Sequence, residues 1–239
     1  MANFRTHIGV STATAALYAA AGWRWGVPWE TCVIGAGLCS VSGMLPDLDS
    51  DSGVPLREAV AFCSAFIPML MVDRLMRMGL SHEAMVLATG GIYFFIRFGM
   101  AQCFRRYTVH RGMWHSVPAA ICSGSIAFLI CSCEDMSARL FKTAAVVLGF
   151  LSHLILDEIW SVDYRGGQYY FKSSFGSALK FWGSDLRANL ISYSILIILA
   201  IVIYHDQGFM SRFGYQHADV PHTAMQFFRS LLPGSPLQR

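Results

Sequence analysis

Apolar and polar residues alternate along this chain in long blocks, not with the period of two that marks a half-buried strand. Apolar runs of about 17 to 25 residues, the length that carries an α-helix across the hydrocarbon, predict helices near 8–25, 29–46, 58–78, 83–104, 115–133, 139–160 and 187–205. The run from Asn189 to Tyr204 is the cleanest. The first is diluted by Ala and Thr, and the third carries Asp73 and Arg74 near its end. The expected fold is therefore all-α, a polytopic transmembrane helical bundle of about seven spans. Residues 1–205 read as one membrane-embedded domain and 206–239 as a polar C-terminal tail, in which 220–232 has an amphipathic pattern.

Two segments need separate reading. Arg5 followed by an apolar run ending at Ala19-Ala20-Ala21 has the outline of a cleavable leader, but Ser11, Thr12 and Thr14 dilute it, so a retained first span is expected. The connection over 161–186 carries Tyr164, Tyr169, Tyr170, Phe171, Phe175, Phe181 and Trp182, side chains that favour the headgroup level. Within it, 175–182 reads equally as a short interfacial helix, a lid or an ordinary connector.

Composition agrees with the bilayer as solvent. Hydrophobic residues make up 54% and charged residues 14%, against about a quarter charged in a soluble domain. The net charge of +3 comes from dispersed basic residues, which excludes the stripe of Lys and Arg that nucleic-acid binding needs. The seven cysteines lie almost entirely in apolar runs and imply no disulfide framework. Cys131 and Cys133 lack both the spacing and the partner pair of a zinc site.

Four polar constellations interrupt the apolar text: His7; Pro46-Asp47-Leu48-Asp49-Ser50-Asp51; His110-Arg111-Gly112-Met113-Trp114-His115-Ser116; and His153 with Asp157. Successive spans alternate direction, so the start of the first, the end of the second, the connection between the fourth and fifth, and the end of the sixth share one membrane face. His82, His205, His217 and His222 fall on the other.

His153 and Asp157, four apart on a helix, project from one side a turn from each other. Ionisable groups at membrane depth are costly and usually functional. Gly112 lets His110 and His115 turn inward, and Asp47 and Asp49 are expected to alternate along an extended segment after Pro46. Asp47, Asp49 and Asp51 also have the spacing of a calcium loop, but Ser52 replaces its glycine and Pro55 interrupts it. Imidazoles with carboxylates suit zinc, manganese or iron better than calcium.

Together, His7, the Pro-Asp-x-Asp at 46–49, the His-Arg-Gly-x-x-His-Ser at 110–116 and the His-x-x-x-Asp at 153–157 resemble the YdjM family of inner-membrane metal-dependent hydrolases, over about residues 1–185. That family is in turn similar to the zinc-dependent phospholipase C and single-strand nuclease superfamily. The resemblance implies metal ligands at His7, Asp47, Asp49, His110, His115, His153 and Asp157, around one to three divalent ions, with zinc first. Asp49 or Asp51 would orient water, Arg111 would clamp a phosphate, and Glu158 and Asp163 are reserve supporting groups.

The function expected is a membrane-bound hydrolase of phosphoester bonds in lipid or lipid-linked substrates, with membrane lipids as partners. A metal or proton transporter and a non-catalytic membrane regulator are the alternatives. A transporter should show polar residues near the midplane and repeated, interrupted helices, neither of which is apparent. Nine Lys and Arg on the site face against eight on the other favour, modestly, an inner-membrane site facing the cytoplasm.

Overall fold

The computed structural model describes residues 3–49, 54–100, 113–131, 135–172, 175–206 and 209. Their helices are α1 (Phe4–Arg24), α2 (Trp29–Ser42), α3 (Val54–Leu70), α4 (Val72–Arg77), α5 (His82–Phe94), α6 (Val117–Ile130), α7 (Met136–Trp160) and α8 (Leu186–Tyr204), with a 3-10 turn at Leu45–Asp49 and a π-helical turn at Phe95–Met100. Among the described residues the bundle is all-α apart from one small hairpin.

Local chemistry sets the helix ends. Asn3 caps α1 by accepting from Thr6 N at 2.8 Å, and Ser116 caps α6 by accepting from Ala119 N at 3.3 Å; both satisfy first-turn amides that no helical carbonyl reaches. Pro68 lies inside α3, which ends two residues later at Leu70. Pro68 removes a donor from the helical ladder, and α4 resumes at Val72.

Three stretches among the described residues are long and apolar enough to cross a membrane: Pro55–Arg77, Met136–Trp160 and Leu186–Tyr204. The helices occupy the expected places, but α2 and α6 have 14 residues each, a rise of about 21 Å. α2 is shortened at its end, where the Pro-Asp motif replaces helix, and α6 at both ends, starting after His115-Ser116 and stopping at Ile130.

α7 is the central strut. His7, Ser11 and Ala15 form a buried stripe on α1, and Ala145, Gly149, His153 and Asp157 lie buried along α7. Small residues let backbones approach closely. A Cβ at Gly149 would overlap the Cys39 carbonyl and the Ser42 hydroxyl on α2. A Cβ at Gly43 would overlap the Ser11 side chain. α8 instead exposes Leu190, Ile191, Ile197 and Ile198, as a helix facing lipid does.

At the end of the bundle away from the capped starts of α1 and α6, Arg139 is 2% exposed and grips Asp206 with two nitrogens, at 2.6 and 3.0 Å. Its Nε donates to the Phe128 carbonyl at 2.7 Å, its guanidinium lies 3.7 Å from the Phe128 ring centroid, and Arg74 reaches the same carboxylate at 3.3 Å. Burial alone would raise the Asp206 pKa. The Arg139 guanidinium, helped by the Phe209 amide and Arg74, outweighs it and holds the carboxyl below its ordinary value.

The connection after α7 departs from expectation. Val162–Arg165 and Gln168–Phe171 pair as an antiparallel hairpin. Its turn, Gly166-Gly167, has both φ angles positive, at 58° and 83°, as tight hairpins require. Residues 175–182 form turns, so the interfacial-helix alternative is set aside. Glu158 accepts from the Gly176 and Ala178 amides, and Asn189, fully buried, bonds both the amide and the carbonyl of Gly183 at 2.8 Å.

Candidate metal centre

Five of the sequence-marked residues meet at one point. His7 comes from the second turn of α1, Asp47 from the 3-10 turn, His115 from just before the α6 cap, and His153 and Asp157 from the last turns of α7. His7 Nε2 lies 3.2 Å from Asp157 Oδ1, His153 Nε2 lies 3.5 Å from Asp157 Oδ2, and both His115 Nε2 and His153 Nε2 lie 3.6 Å from Asp47 Oδ1. The His7 and His153 rings stack with centroids 3.7 Å apart, and His115 stands edge-on to His153 at 5.8 Å.

Asp47 does not sit on the extended segment expected after Pro46. Leu45–Asp49 is a 3-10 turn, closed by Asp47 N donating to the Met44 carbonyl at 3.2 Å. Trp114 Nε1 donates to the Leu45 carbonyl at 2.6 Å, which fastens the His115 approach to this turn. Asp49 is described through its backbone alone. Asp51, His110 and Arg111 lie outside the described residues. Glu158, read as a reserve supporting group, is turned to the connector's amides instead.

The donor atoms are buried and unpaired. His7 Nδ1, both ring nitrogens of His115, His153 Nε2 and both oxygens of Asp157 have no hydrogen-bond partner. Each such atom costs about 1–3 kcal/mol when left unsatisfied. Separations of 3.5 to 3.6 Å are too long for hydrogen bonds. They match the spacing of about 3.4 Å between ligands that surround one ion at about 2.1 Å in a tetrahedron. Two sets of three donors, His7-Asp47-His153 and His115-His153-Asp157, each fall within 4.8 Å of one another, and His153 belongs to both. A divalent cation fits this donor set.

One hydrogen bond orients the imidazole common to both sets. His153 Nδ1 lies 2.7 Å from the Gly43 carbonyl. A carbonyl only accepts, so Nδ1 carries the proton and Nε2 presents its lone pair to the cluster, the usual device for aiming a ligating imidazole. Sequence reasoning missed Gly43. Its signal was a glycine between an apolar helix and a Pro-Asp motif.

Access is one-sided. The side chains of His7, His115, His153 and Asp157 are at most 6% exposed, whereas Asp47 is 22% exposed. Burial would raise the Asp47 pKa. Its polar contact with His115 and the imidazoles of His153 and His7, cationic when protonated, outweigh burial, so the carboxylate stays ionised below the usual range.

The sequence pattern that defines the YdjM inner membrane protein family matches residues 1–210. The chain belongs to that family. No curated protein and no solved structure matches it. The match runs past the four motifs and through α8, beyond the 1–185 suggested by the motifs alone.

Proposed function

We propose that this member of the YdjM family is a membrane-bound metal-dependent hydrolase that cleaves phosphoester bonds of lipid or lipid-linked substrates. The observation that carries the reading is the convergence of His7, Asp47, His115, His153 and Asp157 from four distant parts of the chain, with buried, unpartnered polar atoms on His7, His115, His153 and Asp157.

In this reading His7, His115, His153, Asp47 and Asp157 hold zinc, with manganese or iron as the alternatives suited to the same donors, and His110 and Asp49 complete a set for one to three ions. When bound, such an ion supplies Lewis acidity toward a phosphoryl oxygen and a nucleophile at neutral pH. The Gly43 carbonyl fixes His153. Asp47, the most exposed of the five, faces the side from which substrate enters. Asp49 or Asp51 orients the attacking water, and Arg111 clamps the phosphate with a planar fork. The aromatic connector shields the reaction from bulk water. The site faces the cytoplasm, on the balance of nine basic residues against eight.

The test joins elemental analysis of purified protein in nanodiscs with assays on phospholipid and lipid-pyrophosphate panels. Bound metal and turnover are expected, and His115→Ala or Asp157→Ala should abolish turnover in folded protein. Bound metal without turnover, together with metal flux in proteoliposomes, would replace this reading with a transporter.

A further inference from the structure

A cavity of about 220 Å³ runs between α2, α3, α6 and α7, with Ile96 of the π-helical turn on its wall. Its lining among the described residues is almost wholly hydrocarbon. Of its two serines, Ser42 turns its hydroxyl to the Cys39 carbonyl at 3.0 Å and away from any ligand. A polar molecule would gain nothing there and would lose its hydration.

The position of the cavity is as informative as its lining. One end is formed by Leu45, Leu48 and Trp114, each within two positions of Asp47 or His115 in the sequence. The other end reaches Leu70 and Ile130, the last residues of α3 and α6. From Ala59 to Leu70 the α3 wall extends about 16 Å, a large part of one hydrocarbon leaflet pair about 30 Å thick. A drug-sized ligand takes about 300–1,000 Å³, so this volume suits one slender chain and excludes a pair of chains or a helix.

We propose that the cavity holds one acyl chain of a bilayer phospholipid and thereby sets the phosphoester of that lipid against the His7-Asp47-His115-His153-Asp157 cluster. This rests on the hydrolase reading and adds the substrate class: a lipid selected by a single seated chain, with the cluster meeting its head. Chain and headgroup are then recognised by different walls, carbon by α3 and α6, phosphate by the cluster.

The experiment uses the full chain in nanodiscs with a phosphatidic acid bearing a diazirine in one acyl chain, photolysed and mapped by mass spectrometry. Labelling is expected to concentrate on Val60, Ile96 and Val146, buried cavity residues, over the lipid-facing Ile195 and Ile198 of α8. Ala127→Trp and, separately, Ala59→Phe fill the cavity, and each should cut cavity labelling about tenfold or more while metal content stays at the wild-type level. Asp157→Ala should lose metal and keep the labelling, which separates chain binding from the state of the cluster. Cavity labelling without turnover on any phosphoester would retire the hydrolase reading and leave the chain site standing. Labelling spread evenly over α8 and the cavity in the wild-type protein, or unchanged in both filled variants, overturns the proposal.

Discussion

His153 and Gly43 are 110 positions apart, and Nδ1 of the one donates to the carbonyl of the other at 2.7 Å. The bond requires the end of α2 to meet α7 backbone to side chain, with Ser11 of α1 packed against Gly43. Gly43→Ala places a Cβ on Ser11, so the bond should lengthen and the shared imidazole turn. We expect a loss of about 1–3 kcal/mol in stability and a 10- to 100-fold loss of metal affinity, about what removal of an orienting partner costs. Adding Ser11→Gly should recover part of both. Titration calorimetry and thermal unfolding in detergent measure the two effects, and an undiminished affinity in Gly43→Ala would detach Gly43 from the centre.

Stripping metal from the protein should lower its thermal midpoint, because the centre then keeps its buried donors unsatisfied. Restoring zinc at about 100 times its Kd should return about 2.7 kcal/mol. Protons compete for imidazole and carboxylate alike, so the stabilisation should shrink as the pH falls. A midpoint insensitive to chelator and to added zinc would show that the donor set binds no ion.

Asp206→Asn removes the partner of a nearly buried guanidinium, and breaking such a pair costs about 3 kcal/mol. Replacing both residues, Arg139→Met with Asp206→Leu, should restore most of the loss. The Asp206 carboxyl is held below its ordinary pKa, so the contribution is complete above about pH 3.9 and disappears only as the pH drops through the lower folded value. Wild type and Asp206→Asn should therefore differ at neutral pH and converge in strong acid; equal midpoints at pH 7 would contradict the geometry.

Glu158→Ala frees the Gly176 and Ala178 amides, so the connector should be cut faster by protease near its Gly166-Gly167 turn. Metal content should not change, since Glu158 faces away from the cluster. Loss of metal in this variant would return Glu158 to the role that its place beside Asp157 first suggested.

The convergence of His7, Asp47, His115, His153 and Asp157 was legible because it needs only the direction of each helix, and apolar blocks set that. Side-chain detail was less accessible. Asp47 lies on a 3-10 turn because the Met44 carbonyl captures its amide, a local bond that the word Pro-Asp-x-Asp does not specify. The helix lengths were overread in α2 and α6, since an apolar count cannot tell helix from the apolar residues just beyond its end, such as Leu45 and Cys131. The hairpin was hidden by its aromatics, although the Gly166-Gly167 pair carried its signal. The close approach at Gly149 and the return of Asp206 to Arg139 depend on tertiary packing and left no mark in the pattern, and the glycine before the Pro-Asp motif marked Gly43 without naming its partner.

Asp157 follows Arg139 on α7 by 18 positions, an axial distance of about 27 Å, close to the thickness of the lipid core at about 30 Å. One helix therefore works as a ruler. With a locked guanidinium at one water boundary and a carboxylate near the other, neither end can sink without dragging a charge into oil, so the depth of the cluster is graduated by the chain itself. In a bilayer thinner or thicker than that graduation, the protein must tilt or the lipid must deform.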